Sequence, residues 1–181
     1  LSNLEAARKV CSLLGVFDQD FYTAIASFTG ASKRLEIIYK DSSNLLIRDF
    51  AHSPSKLTAS VNATRETFKD NFIIGVYELH TFSSLDPNFI NQYSESLDNC
   101  DLPIVFYDKK NKKLQDSNSI NNKIISNAFN IQNLIIIDNS EDLFSYLMSI
   151  EYKKTCLLLM SSGNFGSMNI DKLKSYISNE S

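Results

Sequence analysis

The sequence predicts an α/β fold: a Rossmann-like, six-stranded, mostly parallel sheet with one antiparallel strand and helices on both faces. Three observations carry this. From residue 45 onward, short apolar runs of strand length alternate with segments of helical period. The turn-rich Asp41-Ser42-Ser43-Asn44 separates the first two apolar runs, a connection short enough to make that pair antiparallel. Polar residues gather just after the apolar runs, at the strand ends where an open α/β sheet binds ligands.

Two helices are expected first. Leu4, Ala7, Cys11 and Leu14 share a helical face, with Gly15 as a stop. Asp18 is placed to cap a second helix carrying Phe21, Ile25 and Phe28, which Gly30 would end. Strands follow at Leu35 to Tyr39 and Leu45 to Asp49. Pro54 opens a helix with Leu57, Val61, Thr64 and Phe68 on one side. Phe72 to Leu79 reads as a strand. Asp86-Pro87 is expected to open a helix with Phe89, Ile90, Tyr93 and Leu97 inward. Further strands are expected at Pro103 to Tyr107, Leu134 to Ile137 and Thr155 to Met160. The intervening helices fall near Ser119 to Phe129 and Glu141 to Ile150, and a last one near Ile170 to Ile177. Repeated strand–helix units pair their strands in parallel and cover both faces. The texture changes near Gly30, the expected domain boundary.

Composition excludes several classes. The 181 residues are 43% hydrophobic and 22% charged, as in a folded globular protein. A net charge of −3 and a pI near 5.4 argue against nucleic acid, which would want a basic face. No apolar stretch is long enough to span a membrane and no signal peptide is read. The chain starts at Leu1, so a fragment or processed product is expected. Three widely spaced cysteines without a Cys-x-x-Cys suit a reducing cytoplasm and speak against structural zinc or a disulfide framework. The Lys109 to Lys113 run reads as a solvated loop.

The candidate site is the carboxyl edge of the sheet. Asp49 and His52 stand between a strand and a helix whose free N–H groups suit a phosphate or carboxylate. Asp49 as a helix cap and His52 as the partner of a turn carbonyl remain open readings there. His80, Thr81, Ser83 and Ser84 follow the next strand, so both histidines of the chain lie on one edge. Asp108 and Asp138-Asn139-Ser140 read as turn and cap residues. The loop from Ser161 to Gly166 holds two glycines that allow close backbone approach. There is no phosphate-binding Gly-x-x-x-x-Gly-Lys-Ser/Thr loop, no Gly-x-Gly-x-x-Gly and no Gly-x-Ser-x-Gly elbow. Two histidines without a matched cluster of acids or thiols predict no resident metal.

Four segments, in order, resemble one family. Asn3-Leu4-Glu5-Ala6-Ala7 resembles the end of a His-Asn-x-x-Asn-x-x-Ala-Ala stretch. The run from Phe28 to Glu36 resembles a Phe-x-Gly-x-x-Arg-Arg-x-Glu junction. Asp49-Phe50-Ala51-His52-Ser53-Pro54 matches Asp-Tyr-Ala-His-x-Pro. Met160 to Gly166 is similar to Met-Ser-Asn-Gly-Gly-Phe-Gly. These are motifs of the Mur ligases, the ATP-dependent amide-forming enzymes of the peptidoglycan precursor. The chain resembles their C-terminal part, nearest the murein peptide ligase and UDP-N-acetylmuramate–alanine ligase branches.

The resemblance implies that residues 1–30 are the last helices of a central ATPase domain and 31–181 a C-terminal domain for the amino substrate. It implies ATP and magnesium, with magnesium ligands mainly on the central domain. It also implies a UDP-N-acetylmuramate substrate, an amino acid or peptide, and the protein's own N-terminal and central domains as partners. Asn3, Arg34 and Asp49 match nucleotide-side positions, and His52, His80, Gly163 and Asn164 match positions at the amine substrate. Ser84 joins that set, where alanine-adding members carry arginine; Thr81 likewise replaces an arginine and Arg48 replaces the usual acid. No catalytic residue is expected in this stretch, and alone it is expected to be inactive. A non-catalytic Rossmann-like domain holding a nucleotide or peptide is the alternative.

Overall fold

The computed structural model describes residues 2–28, 34–110 and 120–179. The chain divides into two compact units, Leu1–Ser32 and Lys33–Ser181. The first is a helix pair, α1 (Ser2–Leu13) and α2 (Asp18–Ala26). Gly15 lies at φ +84° between them, a conformation that costs a residue without Cβ little. The Arg8 guanidinium bonds Glu5 at 2.7 Å and Asp18 at 3.0 Å. Those bonds, Glu5 first, raise the Arg8 pKa, and the same Arg8 bond lowers that of Glu5. Asp18 is therefore not the cap expected of it. Phe17 holds the cap position without a side-chain bond, and the Asp18 carboxylate is turned to Arg8. Only Phe21 is buried in α2, while Leu13, Leu14, Phe17 and Phe28 are exposed. Gly30 lies outside the described residues.

In the second unit, six strands among the described residues form one sheet in the order β1-β2-β6-β3-β4-β5. They are β1 (Glu36–Lys40), β2 (Leu45–Asp49), β3 (Phe72–Glu78), β4 (Leu102–Phe106), β5 (Ile135–Ile137) and β6 (Thr155–Met160). β1 and β2 are antiparallel and every other pairing is parallel, as expected. The Asp41 carboxylate builds the hairpin turn by accepting from the Ser43 and Asn44 amides at 2.6 and 2.7 Å.

Alternation of side chains splits the interior into two layers. Leu45, Ile47, Ile73, Tyr77, Leu158 and Met160 point to one face, under α3 (Pro54–Thr67) and α4 (Asn122–Phe129). Leu46, Ile74, Val76, Leu157 and Leu159 point to the other, under α5 (Ser140–Met148) and α6 (Ile170–Asn179). Asn121 caps α4 and Asn139 caps α5, each side chain accepting an amide three residues on. Ser119, and 111–113 of the lysine-rich run, lie outside the described residues.

One predicted helix is absent. Around Asp86 the chain makes two short 3-10 turns, Ser83–Leu85 before it and Ile90–Tyr93 after it, with no α-helix in 86–97. The Asp86 side chain bonds the Asn88 amide at 2.9 Å, an alternative to helical pairing, and Glu95 sits at φ +60°. The apolar reading of the segment still holds, because Ile90, Tyr93 and Leu97 are fully buried. Burial here rewards the side chains, whatever backbone presents them.

The connections create a crevice. The segment leaving β3 packs with the α3 layer, whereas the segment leaving β6 packs with the α5–α6 layer. Adjacent strands whose connections part to opposite faces leave an opening at their carboxyl ends.

Candidate functional site

Strand register sets which residues meet at that opening. Asp49 pairs with Met160, Met160 with Tyr77, and Glu78 with Phe106. Asp49 and Glu78 thus end the strands on either side of β6, and Ser161 follows its last residue.

Asp49 is 7% exposed. One carboxylate oxygen accepts from the Ala51 amide at 2.8 Å and the Ser60 hydroxyl at 2.7 Å, and the other from the Leu35 amide at 2.7 Å. The acid does not cap α3, whose cap position is Ser53. It ties the end of β2 to the middle of α3 and to the residue following Arg34. Arg34 is exposed, as is Asn3 on α1 in the helical unit.

His52 stands half-buried in the turn. Its Nδ1 lies 2.9 Å from the Phe50 carbonyl oxygen, and its ring meets Phe50 edge-on at 5.2 Å. A carbonyl only accepts, so Nδ1 carries the proton, and in the uncharged tautomer that this selects Nε2 is an acceptor. The turn-carbonyl reading is correct, and it fixes the tautomer. Behind the turn, Tyr77 donates to Tyr93 at 2.9 Å and Tyr93 reaches the His52 carbonyl at 3.5 Å. Burial, above all, raises both phenol pKa values and keeps the hydroxyls protonated as donors.

His80 lies beside Glu78, Nδ1 to Oε1 at 3.6 Å. Glu78 is a residue that the sequence reading passed over. It is 4% exposed, and its Oε2 accepts from the Ser161 hydroxyl and, at 3.0 Å, from the Phe165 amide. Ser161 Oγ in turn accepts the Gly163 amide at 2.6 Å. Gly163 is required to be small: a Cβ there would stand 2.7 Å from the Glu78 carboxylate and 2.8 Å from the His80 ring. His80, Gly163 and Ser161 are thereby gathered around one acid. Its partners are more than 80 positions away, at separations of 83 and 87, so only a hint remained in the sequence. That hint was an acid ending an otherwise apolar strand.

Ser84 is placed differently. It is fully buried, its hydroxyl donating to the Thr81 carbonyl at 2.8 Å and accepting the Thr81 amide at 3.0 Å. The hydroxyl closes its own loop. Asn164 is exposed and its side chain accepts the Ser167 amide at 3.2 Å. Behind this loop Arg48, Ser161, Gly163, Asn164, Phe165 and Ile170 line a pocket of about 80 Å³. Arg48 bonds Glu36 across the hairpin at 2.9 Å, and its Nε is buried without a hydrogen-bond partner among the described residues. Farther along the edge, Asp108 accepts the Lys110 amide and Asp138 pairs with Lys109, as turn residues. Among the described residues no group of three or more His, Cys, Asp or Glu side chains is arranged to hold a metal ion. Nor is any helix there long and apolar enough to cross a membrane.

Known proteins share this fold. No protein-family model matches the chain. The UDP-N-acetylmuramate–L-alanine ligase of Porphyromonas gingivalis strain W83 is 27% identical over 173 residues, 96% of this chain and 36% of the relative. The crystal structure of the UDP-N-acetylmuramate–alanine ligase of Thermotoga maritima superposes with a TM-score of 0.71 at 18% identity, over 98% of this chain and 36% of that one. Over nearly its whole length the chain is similar to Mur ligases. It spans little more than a third of the length of these curated relatives. A murein peptide ligase from Psychrobacter arcticus shares the fold, with a TM-score of 0.67 at 17% identity, over 88% of this chain and 33% of that one. The expected Mur ligase α/β architecture, with its single antiparallel pair, is the one observed.

Proposed function

We propose that this Mur ligase domain receives the incoming amine in an ATP-dependent ligase that joins an amino acid or short peptide to UDP-N-acetylmuramate, in peptidoglycan synthesis or recycling. The observation that carries the reading is that both histidines, Gly163 and two buried acids stand at the carboxyl edge of one sheet. In this reading residues 1–30 close a central ATPase domain and 31–181 form the C-terminal domain.

The chemistry asks for an uncharged amine, because an ammonium has no lone pair with which to attack an activated carboxylate. His52 suits that need, since its Nε2 is left as an acceptor for the proton. His80, Gly163 and Asn164 flank the same substrate, and Ser84 holds the His80 loop from beneath. Arg34 and Asn3 are assigned to the nucleotide. Asp49 joins them as a carboxylate at the end of β2, beside the residue that follows Arg34. Magnesium, its ligands assigned mainly to the central domain, would offset the charge of the transferred phosphate. Free thiols at Cys11, Cys100 and Cys156 agree with a reducing cytoplasm.

The test is phosphate release by the full-length protein with ATP, UDP-N-acetylmuramate and a panel of amino acids and muropeptides. Turnover that requires one amine, and is absent from the 181-residue chain alone, is the expected result. Nucleotide or peptide binding without turnover in the full-length protein would overturn the reading in favour of a binding module.

A further inference from the structure

We infer that Glu78 is a positioning residue for the amine substrate, holding His80 and the loop after β6 in one shared geometry; this rests on the function proposed above. The loop holds three left-handed residues in a row. Phe165, Gly166 and Ser167 stand at φ +52°, +64° and +67°, and only one of them is a glycine. Consecutive left-handed residues persist only where the surroundings over-determine them. The anchor at the start of this run is the Phe165 amide on Glu78 Oε2. The same oxygen takes the Ser161 hydroxyl, whose own oxygen takes the Gly163 amide. One carboxylate oxygen therefore governs both sides of the Gly163-Asn164 step.

The other oxygen faces His80 at 3.6 Å. Gly163 completes the cluster from the loop side, its Cα so near that a Cβ would collide with both Glu78 and His80. No outward-facing role fits a carboxylate that is 4% exposed and occupied on the inner side. Its effect must pass through the loop and the imidazole, which are the groups assigned to the amine. Arg34 and Asp49, assigned to the nucleotide, make no hydrogen bond to Glu78 among those between described residues.

The experiment compares wild type, Glu78→Gln and Glu78→Ala in the full-length protein, measuring KM separately for amine, ATP and UDP-N-acetylmuramate. Glu78→Ala should raise the amine KM about tenfold or more, leaving the other two within about twofold, since small misplacement of a positioning group is costly. Glu78→Gln keeps an acceptor oxygen and the side-chain volume, so it should recover most of that loss. Amide hydrogen exchange supplies the second readout: residues 161–167 should exchange faster in Glu78→Ala while 50–53 keep the wild-type rate. Wild-type turnover with an unmoved amine KM in Glu78→Ala, a parallel change in all three KM values, or unchanged exchange at Phe165 would each overturn the inference alone. A wild-type protein that releases phosphate with no amine would instead remove the ligase reading, and the positioning role with it.

Discussion

Asp49 and Glu78 end neighbouring parts of the same sheet, are nearly equally buried, and are wired in opposite ways. Asp49 bonds Leu35, Ala51 and Ser60, all within 14 positions of itself. Glu78 bonds Ser161 and Phe165, 83 and 87 positions away. The first acid organises a strand–turn–helix unit that is continuous in sequence. The second exists as an anchor only once β6 has been inserted between β2 and β3. A local acid of this kind can be read from its motif, whereas the partners of a long-range one are hidden until the strand order is known.

The contrast is breakable by mutation. The largest expected effect is from Glu78→Ala and Asp49→Ala, each removing charged hydrogen bonds to buried donors at about 3 kcal/mol. Urea unfolding of the 181-residue chain measures the loss, and hydrogen exchange should then separate the two. Asp49→Ala should loosen 34–36 and 50–52, Glu78→Ala should loosen 161–167, and a shared pattern would erase the distinction.

Gly163→Ala comes next, at about 1–3 kcal/mol for forcing an atom into a filled space. Because the neighbours in its way are the Glu78 carboxylate and the His80 ring, the half-exposed ring should yield. A change in the His80 ring NMR signals with those of His52 unmoved would show it.

Ser60→Ala should cost about 1.5–3 kcal/mol, the value of a hydrogen bond to a charged group, in thermal unfolding. Its effect should nearly vanish when combined with Asp49→Ala and persist with Glu78→Ala, which a double-mutant cycle resolves. The smallest effect expected is from Tyr93→Phe, about 1 kcal/mol for the hydroxyl between Tyr77 and the His52 carbonyl. It should perturb the His52 resonances and leave those of His80 in place.

The pattern of what was legible follows the same division. The strands showed as apolar runs because buried parallel strands have no polar face, and the caps at Asn121 and Asn139 lie within three residues of what they bond. The stretch after Asp86 misled, since apolar spacing reports burial and a side chain at Asp86 redirected the backbone into 3-10 turns. At the site, both histidines were visible because strand ends are visible. Ser84 looked available as a hydroxyl on that edge, yet its partner is Thr81 three residues back, and it is sealed in.

By itself, the sequence determined the α/β class, the antiparallel opening pair, the edge on which polar residues collect and the Mur ligase motifs. All of these depend on residues close together along the chain. The tertiary structure decided that β6 lies between β2 and β3, and hence that Ser161, Gly163 and Phe165 close around Glu78 beside His80. Strand order depends on how two apolar layers pack across the whole sheet, and no local stretch of sequence carries that information.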